Sequence, residues 1–136
     1  MKFEIDNALV NAAVNAALLA REHAYAPYSA FRVGAAVVDA SGAIHVGCNV
    51  ENVSYGLTNC AERAAVAAAT VAGRRDIQFC VVVTDASHPA TPCGACRQVL
   101  IECAPDMPIL CTSADRNDVW YNLSDLLPNA FGPFSL

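Results

Sequence analysis

Two short stretches of this sequence bring together side chains that bind metal and move protons. Pro92-Cys93-Gly94-Ala95-Cys96 sets two thiols three apart, and Cys60-Ala61-Glu62 sets a third thiol two residues from a carboxylate. Three thiolates fill three corners of a tetrahedral Zn²⁺ and leave the fourth open to water, whereas a fourth protein ligand would close it. An open zinc position makes water a nucleophile at neutral pH. Glu62, held beside that position without being a ligand, has the placement required of a proton shuttle.

Three thiolates outweigh the divalent ion by about one unit of charge, which makes bound water less acidic than three imidazoles would. Helix N-termini favour thiolates, and Arg63, three residues beyond Cys60, reaches the same cluster and compensates its charge. A competing reading is a closed, structural zinc site. Such sites commonly use two C-x-x-C pairs, and the second pair is missing here. Cys48, Cys80, Cys103 and Cys111 have no ligand-like spacing and read as core filler. His23, His45 and His88 match no ligand slot and read as structural or solvated.

The elements that must position these groups follow from periodicity. From Asp6, a candidate N-cap, Val10, Ala13, Val14, Ala17 and Leu18 recur at helical spacing and predict an amphipathic helix to about His23. Residues 26–29 break it, and 32–40 with 43–48, separated by Ser41-Gly42, predict a β-hairpin. Residues 49–59 predict a surface loop with a functional role. Residues 60–72 predict a helix stopped by Gly73, and 77–84 a buried strand. Residues 93–103 predict a helix ending before Pro105, 108–112 a strand, 119–123 a short edge strand and 124–127 a last helical turn. Both metal motifs therefore start helices, and an ion off the two helix ends is within reach of Cys60 and Glu62, which two apart would share no helix face. The order α-β-β-α-β-α-β-β-α predicts helices covering both faces of a mixed sheet. At 136 residues, with no repeat or linker, the chain reads as one domain.

Composition removes several classes of function. A chain 55% hydrophobic and 15% charged packs a core, which excludes disorder. Its apolar stretches, such as 16–20 and 80–83, fall far short of the roughly 20 residues a membrane helix needs. Net charge is −5 and only Arg74 and Arg75 are adjacent, so no basic stripe exists for nucleic acid. Glu4 and Asp6 stand where an export signal would be basic, and seven cysteines, an odd count, suit a reducing compartment; a cytoplasmic protein is expected.

Taken together, C-x-E followed by P-C-x-x-C is the signature of the zinc deaminases, here with Cys as first ligand. Residues 28–35, YSAFRVGA, and 47–52, GCNVEN, extend the match in order and spacing. Over nearly its whole length the chain resembles the small zinc-dependent cytidine deaminases of the all-cysteine-ligand, homotetrameric type. The resemblance implies an α/β fold, a three-layer α/β/α arrangement with a mixed five-stranded sheet, as one catalytic domain over residues 1–136. It implies one Zn²⁺ per chain on Cys60, Cys93 and Cys96, with Glu62 as proton carrier. It also implies Asn49 and Glu51 on the ribose 3′-hydroxyl, the Ala61 N–H on the pyrimidine O2, Phe31 stacked near the base and Tyr55 lining the sugar pocket. Phe131 would reach into a neighbouring subunit's site, in a homotetramer with shared active sites.

The implied reaction is hydrolytic deamination of cytidine and deoxycytidine to uridine and deoxyuridine with release of ammonia, a step of pyrimidine salvage. The acidic balance favours a free nucleoside, and Glu51 would repel the phosphate of CMP. Two rivals stand beside it. One is a deaminase of related fold acting on another aminated ring, such as blasticidin S or guanine, against which Asn49-Val50-Glu51 argues for a ribose-bearing substrate. The other is a non-catalytic zinc-stabilised interaction domain, in which Glu62 would be dispensable. A 14.3 kDa chain this apolar has more hydrophobic surface than so small a globule easily hides, which independently suggests oligomerisation.

Overall fold

Alternation along the apolar strands builds two cores, one on each side of a single sheet. The structure, a computed structural model, describes residues 5–136, so Glu4 of the export-signal reading lies outside the described residues. The elements are α1 (Asn7–Arg21), β1 (Gly34–Asp39), β2 (Ile44–Cys48), α2 (Ala61–Val71), β3 (Ile77–Val83), α3 (Gly94–Cys103), β4 (Pro108–Thr112), β5 (Val119–Asn122) and α4 (Leu123–Leu126). The sheet order is β2-β1-β3-β4-β5, with β3–β4 parallel and every other pair antiparallel. Ala35, Val37, Cys80, Val82, Ile109 and Cys111 face one core, and Ala36, Val38, Phe79, Val81 and Leu110 face the other. Strands buried on both faces read as continuous apolar runs, which is why β1, β3 and β4 are central and the half-exposed β2 and β5 are edges.

Helix α1 covers the second core with Val10, Ala13, Val14 and Ala17, capped by Asp6, whose carboxylate accepts from the Ala8 N–H at 3.0 Å. Helices α2 and α3 cover the first core with Ala61, Ala65, Val66, Ala69, Leu100 and Ile101. The three-layer α/β/α architecture with a mixed five-stranded sheet is thus as expected.

Boundaries differ where a side chain outcompetes a strand partner. The first strand starts at Gly34 rather than at residue 32, because the Val33 N–H is taken by Asn49 Oδ1 at 2.9 Å. Leu123 leaves the last strand and starts α4: its carbonyl accepts from the Leu127 N–H at 2.9 Å. The expected surface loop contains a 3-10 turn at Tyr55–Leu57, and Val50 bridges both Tyr25 and Asn59.

Gly34 lets α1, and Gly47 lets α2, rest directly on the hairpin backbone. A Cβ on Gly47 would lie 2.4 Å from the Ala61 carbonyl oxygen and 2.5 Å from the Ala65 nitrogen. Backbone cannot yield as a side-chain tip does, so Gly47→Ala must lift the first turn of α2, the turn that carries Glu62, from the sheet. Overpacking of this kind typically costs about 1–3 kcal/mol. We expect a lower melting temperature and reduced activity together, measured by thermal unfolding and steady-state assay; wild-type values of both would contradict the seating.

At the far end of β1 the buried Asp39 carboxylate gathers the hairpin turn. It accepts from the Ser41 N–H at 2.8 Å, the Ser41 hydroxyl at 2.5 Å and the Ala43 N–H at 3.2 Å. His45 Nε2 lies 2.8 Å away and Arg74 Nε 3.4 Å. His45 and then the Ser41 hydroxyl hold the Asp39 carboxyl far below the usual carboxylate range. His45 is structural, one of the two readings its sequence position left open.

Candidate active site

Cys60 and Cys93 occupy the N-cap positions of α2 and α3, in extended backbone conformation, and neither side chain caps its helix. A Ser or Asp there would be worth about 1 kcal/mol. The thiols instead turn to each other across the gap between the two helix starts. Cys60 Sγ lies 3.8 Å from Cys93 Sγ, Cys93 Sγ lies 3.6 Å from Cys96 Sγ, and all three sulfurs fall within 4.8 Å of one another. Tetrahedral zinc with bonds of about 2.3 Å requires sulfurs about 3.8 Å apart, so the donor set fits this ion in chemistry and in spacing. Among the described residues this is the one group of three metal-binding side chains so arranged.

The surroundings favour thiolate. Arg63 Nη2 donates to Cys60 Sγ at 3.4 Å and to the Thr58 carbonyl at 3.3 Å. Hydrogen bonding from Cys96, and then from Arg63, draws the Cys60 thiol down to about 5. Hydrogen bonding with Cys60, and then burial, pushes the Cys96 thiol up. The surroundings of Cys60 therefore favour its thiolate, and a metal bound here would replace the protons of the other two sulfurs.

Glu62, in the first turn of α2, is 4% exposed and is not one of the sulfur cluster's ligands. Burial raises its carboxyl, the Cys60 charge raises it further, and hydrogen bonding with Cys96 opposes both. A carboxyl held up in this way can take and give a proton closer to neutrality than an exposed one. Glu62 lines one cleft together with Cys60, Cys93, Phe31, Asn49 and Ala61. Ala61 opens α2, where first-turn N–H groups lack intrahelical acceptors.

A second cleft adjoins the first at Thr58 and is lined by Tyr28, Ser29, Glu51 and Tyr55. Glu51 accepts from the Tyr28 N–H at 2.9 Å, the Ser29 N–H at 3.2 Å and the Ser29 hydroxyl. The Ser29 hydroxyl, first among these, lowers the Glu51 carboxyl. Tyr55 stands over this cleft with its ring 6.0 Å from that of Tyr28. Asn49 is buried and anchored to backbone: its Oδ1 accepts from Val33 and its Nδ2 donates to the Phe31 carbonyl at 2.7 Å, which leaves a second Nδ2 hydrogen. The structure thus brings Cys60, Cys93, Cys96, Glu62, Arg63, Ala61, Phe31 and Asn49 together, with Glu51 and Tyr55 next door. It does not bring Phe131, which is 65% exposed, lines neither cleft, and is tied to α3 through its carbonyl by Gln98 Nε2 at 2.7 Å.

Sequence reasoning missed Thr58, Thr84 and Thr91, which also line the cleft. It also missed Arg97, whose Nε donates to the Pro92 carbonyl at 2.7 Å, Nη2 to the Thr91 hydroxyl at 3.0 Å and Nη1 to the Leu126 carbonyl at 2.6 Å. That fork pins the strap leading into Cys93. The available signal was a cation immediately after a metal ligand in a helix that is otherwise largely apolar.

Comparison with known proteins places this arrangement among relatives. The family described as the cytidine and deoxycytidylate deaminase zinc-binding region matches residues 8–112. The chain is 47% identical over 119 residues to a cytidine deaminase of Halalkalibacterium halodurans, covering 87% of this chain and 90% of that one. It is similar in structure to a cytidine deaminase of Burkholderia pseudomallei, with a TM-score of 0.85 and 48% identity over 89% of this chain and 98% of that one. A cytidine deaminase of Mycobacterium tuberculosis is similar with a TM-score of 0.78 and 42% identity over 95% and 99%.

Proposed function

The chain belongs to the cytidine and deoxycytidylate deaminase zinc-binding family, and from that premise we propose that it removes the exocyclic amine of free cytidine and deoxycytidine by hydrolysis. The products are uridine or deoxyuridine and ammonia. The observation that carries this reading is a buried carboxyl, not itself a ligand, that lines one cleft with Cys60 and Cys93, two of the three sulfurs set at zinc spacing. Such a carboxyl is superfluous in a purely structural zinc site, which disfavours the interaction-domain rival.

Bound to Cys60, Cys93 and Cys96, one Zn²⁺ per chain supplies Lewis acidity and makes water nucleophilic at neutral pH. Glu62 takes the proton of the attacking water and delivers it to ring N3, which makes C4 electrophilic. As the C4–N bond breaks and C4=O forms, Glu62 carries the proton of the new C4 hydroxyl to the departing amino group, which leaves as ammonia. The Ala61 N–H holds the pyrimidine O2, Phe31 flanks the base, and Arg63 compensates the thiolate charge. The ribose lies toward the second cleft, its 3′-hydroxyl between Asn49 and Glu51 and its edge against Tyr55. A base-only substrate such as guanine would leave that cleft without a purpose.

Neither cleft is lined by a Lys or Arg, and Glu51 carries the charge that a phosphate would meet. Cytidine and deoxycytidine are therefore substrates and CMP is not. Exposed apolar side chains, Val53, Tyr55 and Leu57 beside the clefts and Phe131 and Phe134 near the end of the chain, support a homotetramer in which Phe131 completes a neighbour's site. A thiolate-bound metal suits a reducing cytoplasm and a role in pyrimidine salvage. No helix among the described residues is long and apolar enough to cross a membrane.

The test combines zinc analysis with ultraviolet monitoring of nucleoside conversion. One zinc per chain and turnover of cytidine and deoxycytidine, with none of CMP, is the expected result. CMP turnover at a comparable rate overturns the nucleoside assignment, and zinc-free protein or no conversion overturns the whole.

A further inference from the structure

One hydroxyl beside the clefts touches a wall of each. Ser29 Oγ donates to Glu51 Oε2 and accepts from the Phe31 N–H at 3.0 Å. Between them Ala30 adopts φ 58°, in the left-handed region that alanine avoids unless its neighbours hold it there. The Ser29–Phe31 hydrogen bond spans that kink, with Phe31 lining the cleft of Glu62 and Ser29 the cleft of Glu51.

An ionised carboxylate offers about four lone-pair sites and turns freely unless its oxygens are held. Two donors, the Tyr28 and Ser29 N–H groups, occupy Oε1 of Glu51, and the Ser29 hydroxyl occupies one side of Oε2. The remaining acceptor position is on Oε2, and the Ser29 hydroxyl decides which way it faces. We propose that Ser29 is a positioning residue for sugar discrimination: its hydroxyl locks the Glu51 carboxylate so that the last lone pair of Oε2 meets the ribose 3′-hydroxyl. The proposal rests on the reading of Glu51 as the ribose acceptor given above.

The experiment compares wild type, Ser29→Ala and Ser29→Thr on cytidine and on 3′-deoxycytidine, which lacks the group that Oε2 would accept from. Wild type prefers cytidine. In Ser29→Ala the KM for cytidine rises about five-fold, kcat stays within about two-fold, and the KM for 3′-deoxycytidine does not move. Ser29→Thr keeps the hydroxyl and restores the preference. In a Glu51→Gln background, Ser29→Ala changes the preference no further, because its effect passes through that carboxylate. Equal KM rises on both substrates, a preference as wide as in wild type, or additive effects in the double variant overturn the proposal. A wild type that handles both substrates alike removes the ribose role of Glu51 and this proposal with it, while cytidine deamination itself stands.

Discussion

Glu62→Gln is expected to lower kcat by about 10² to 10⁴, the usual worth of a general acid/base, while zinc content stays at one per chain. The amide keeps the shape of the carboxyl and cannot carry a proton in either transfer. Because Glu62 is 4% exposed and burial disfavours its charged form, the substitution also removes a desolvation cost, so the melting temperature should hold or rise. That combination separates a catalytic group from a structural one: a core residue loses stability and rate together, whereas Glu62→Gln loses rate alone. Metal analysis, thermal unfolding and steady-state kinetics on one preparation test it. A variant retaining more than about a tenth of the wild-type rate would remove the shuttle role.

Cys96→Ala should abolish both metal retention and turnover. Cys96 is buried in the first turn of α3, 3.6 Å from Cys93, and its hydrogen bond is the largest influence on the Cys60 thiol. Two remaining sulfurs leave the ion two positions open to water and lower its affinity by more than about 100-fold, the upper end for loss of a mere supporting residue. Removing zinc from the wild type with a chelator should lower its melting temperature, since both helix starts then face neighbouring thiols with no cap of any kind. Adding zinc back should restore wild type fully and leave Cys96→Ala unchanged. Stoichiometric zinc in purified Cys96→Ala would contradict the ligand assignment.

What could be read from sequence was set by distance along the chain. Cys93 and Cys96 are three apart, Cys60, Glu62 and Arg63 fall within one helical turn, and local spacing sufficed to group them. The central strands were legible because burial on both faces leaves apolar runs such as 77–83. Ser29 and Glu51 are 22 residues apart and meet only because the hairpin folds back between them, so no local pattern announced the pair. Arg97 likewise meets the Leu126 carbonyl, 29 residues away, only in the folded chain. The Asn49 amide, expected in the loop as a ligand-binding group, also ends the first strand early by capturing the Val33 N–H. That competition lies outside any periodicity argument.

The Asp39 knot has a bearing on how this protein would meet acid. Its carboxyl is held far below the usual range, so the stability it contributes is complete above the ordinary carboxylate range and drains away as acidity increases toward its folded value. Asp39 terminates β1, whereas the cleft opens at Val33, about 20 Å away at the strand's other tip. The share of acid tolerance that Asp39 supplies accordingly comes from the end of the strand opposite the cleft. Strengthening the knot to harden the scaffold against low pH can proceed without disturbing the chemistry.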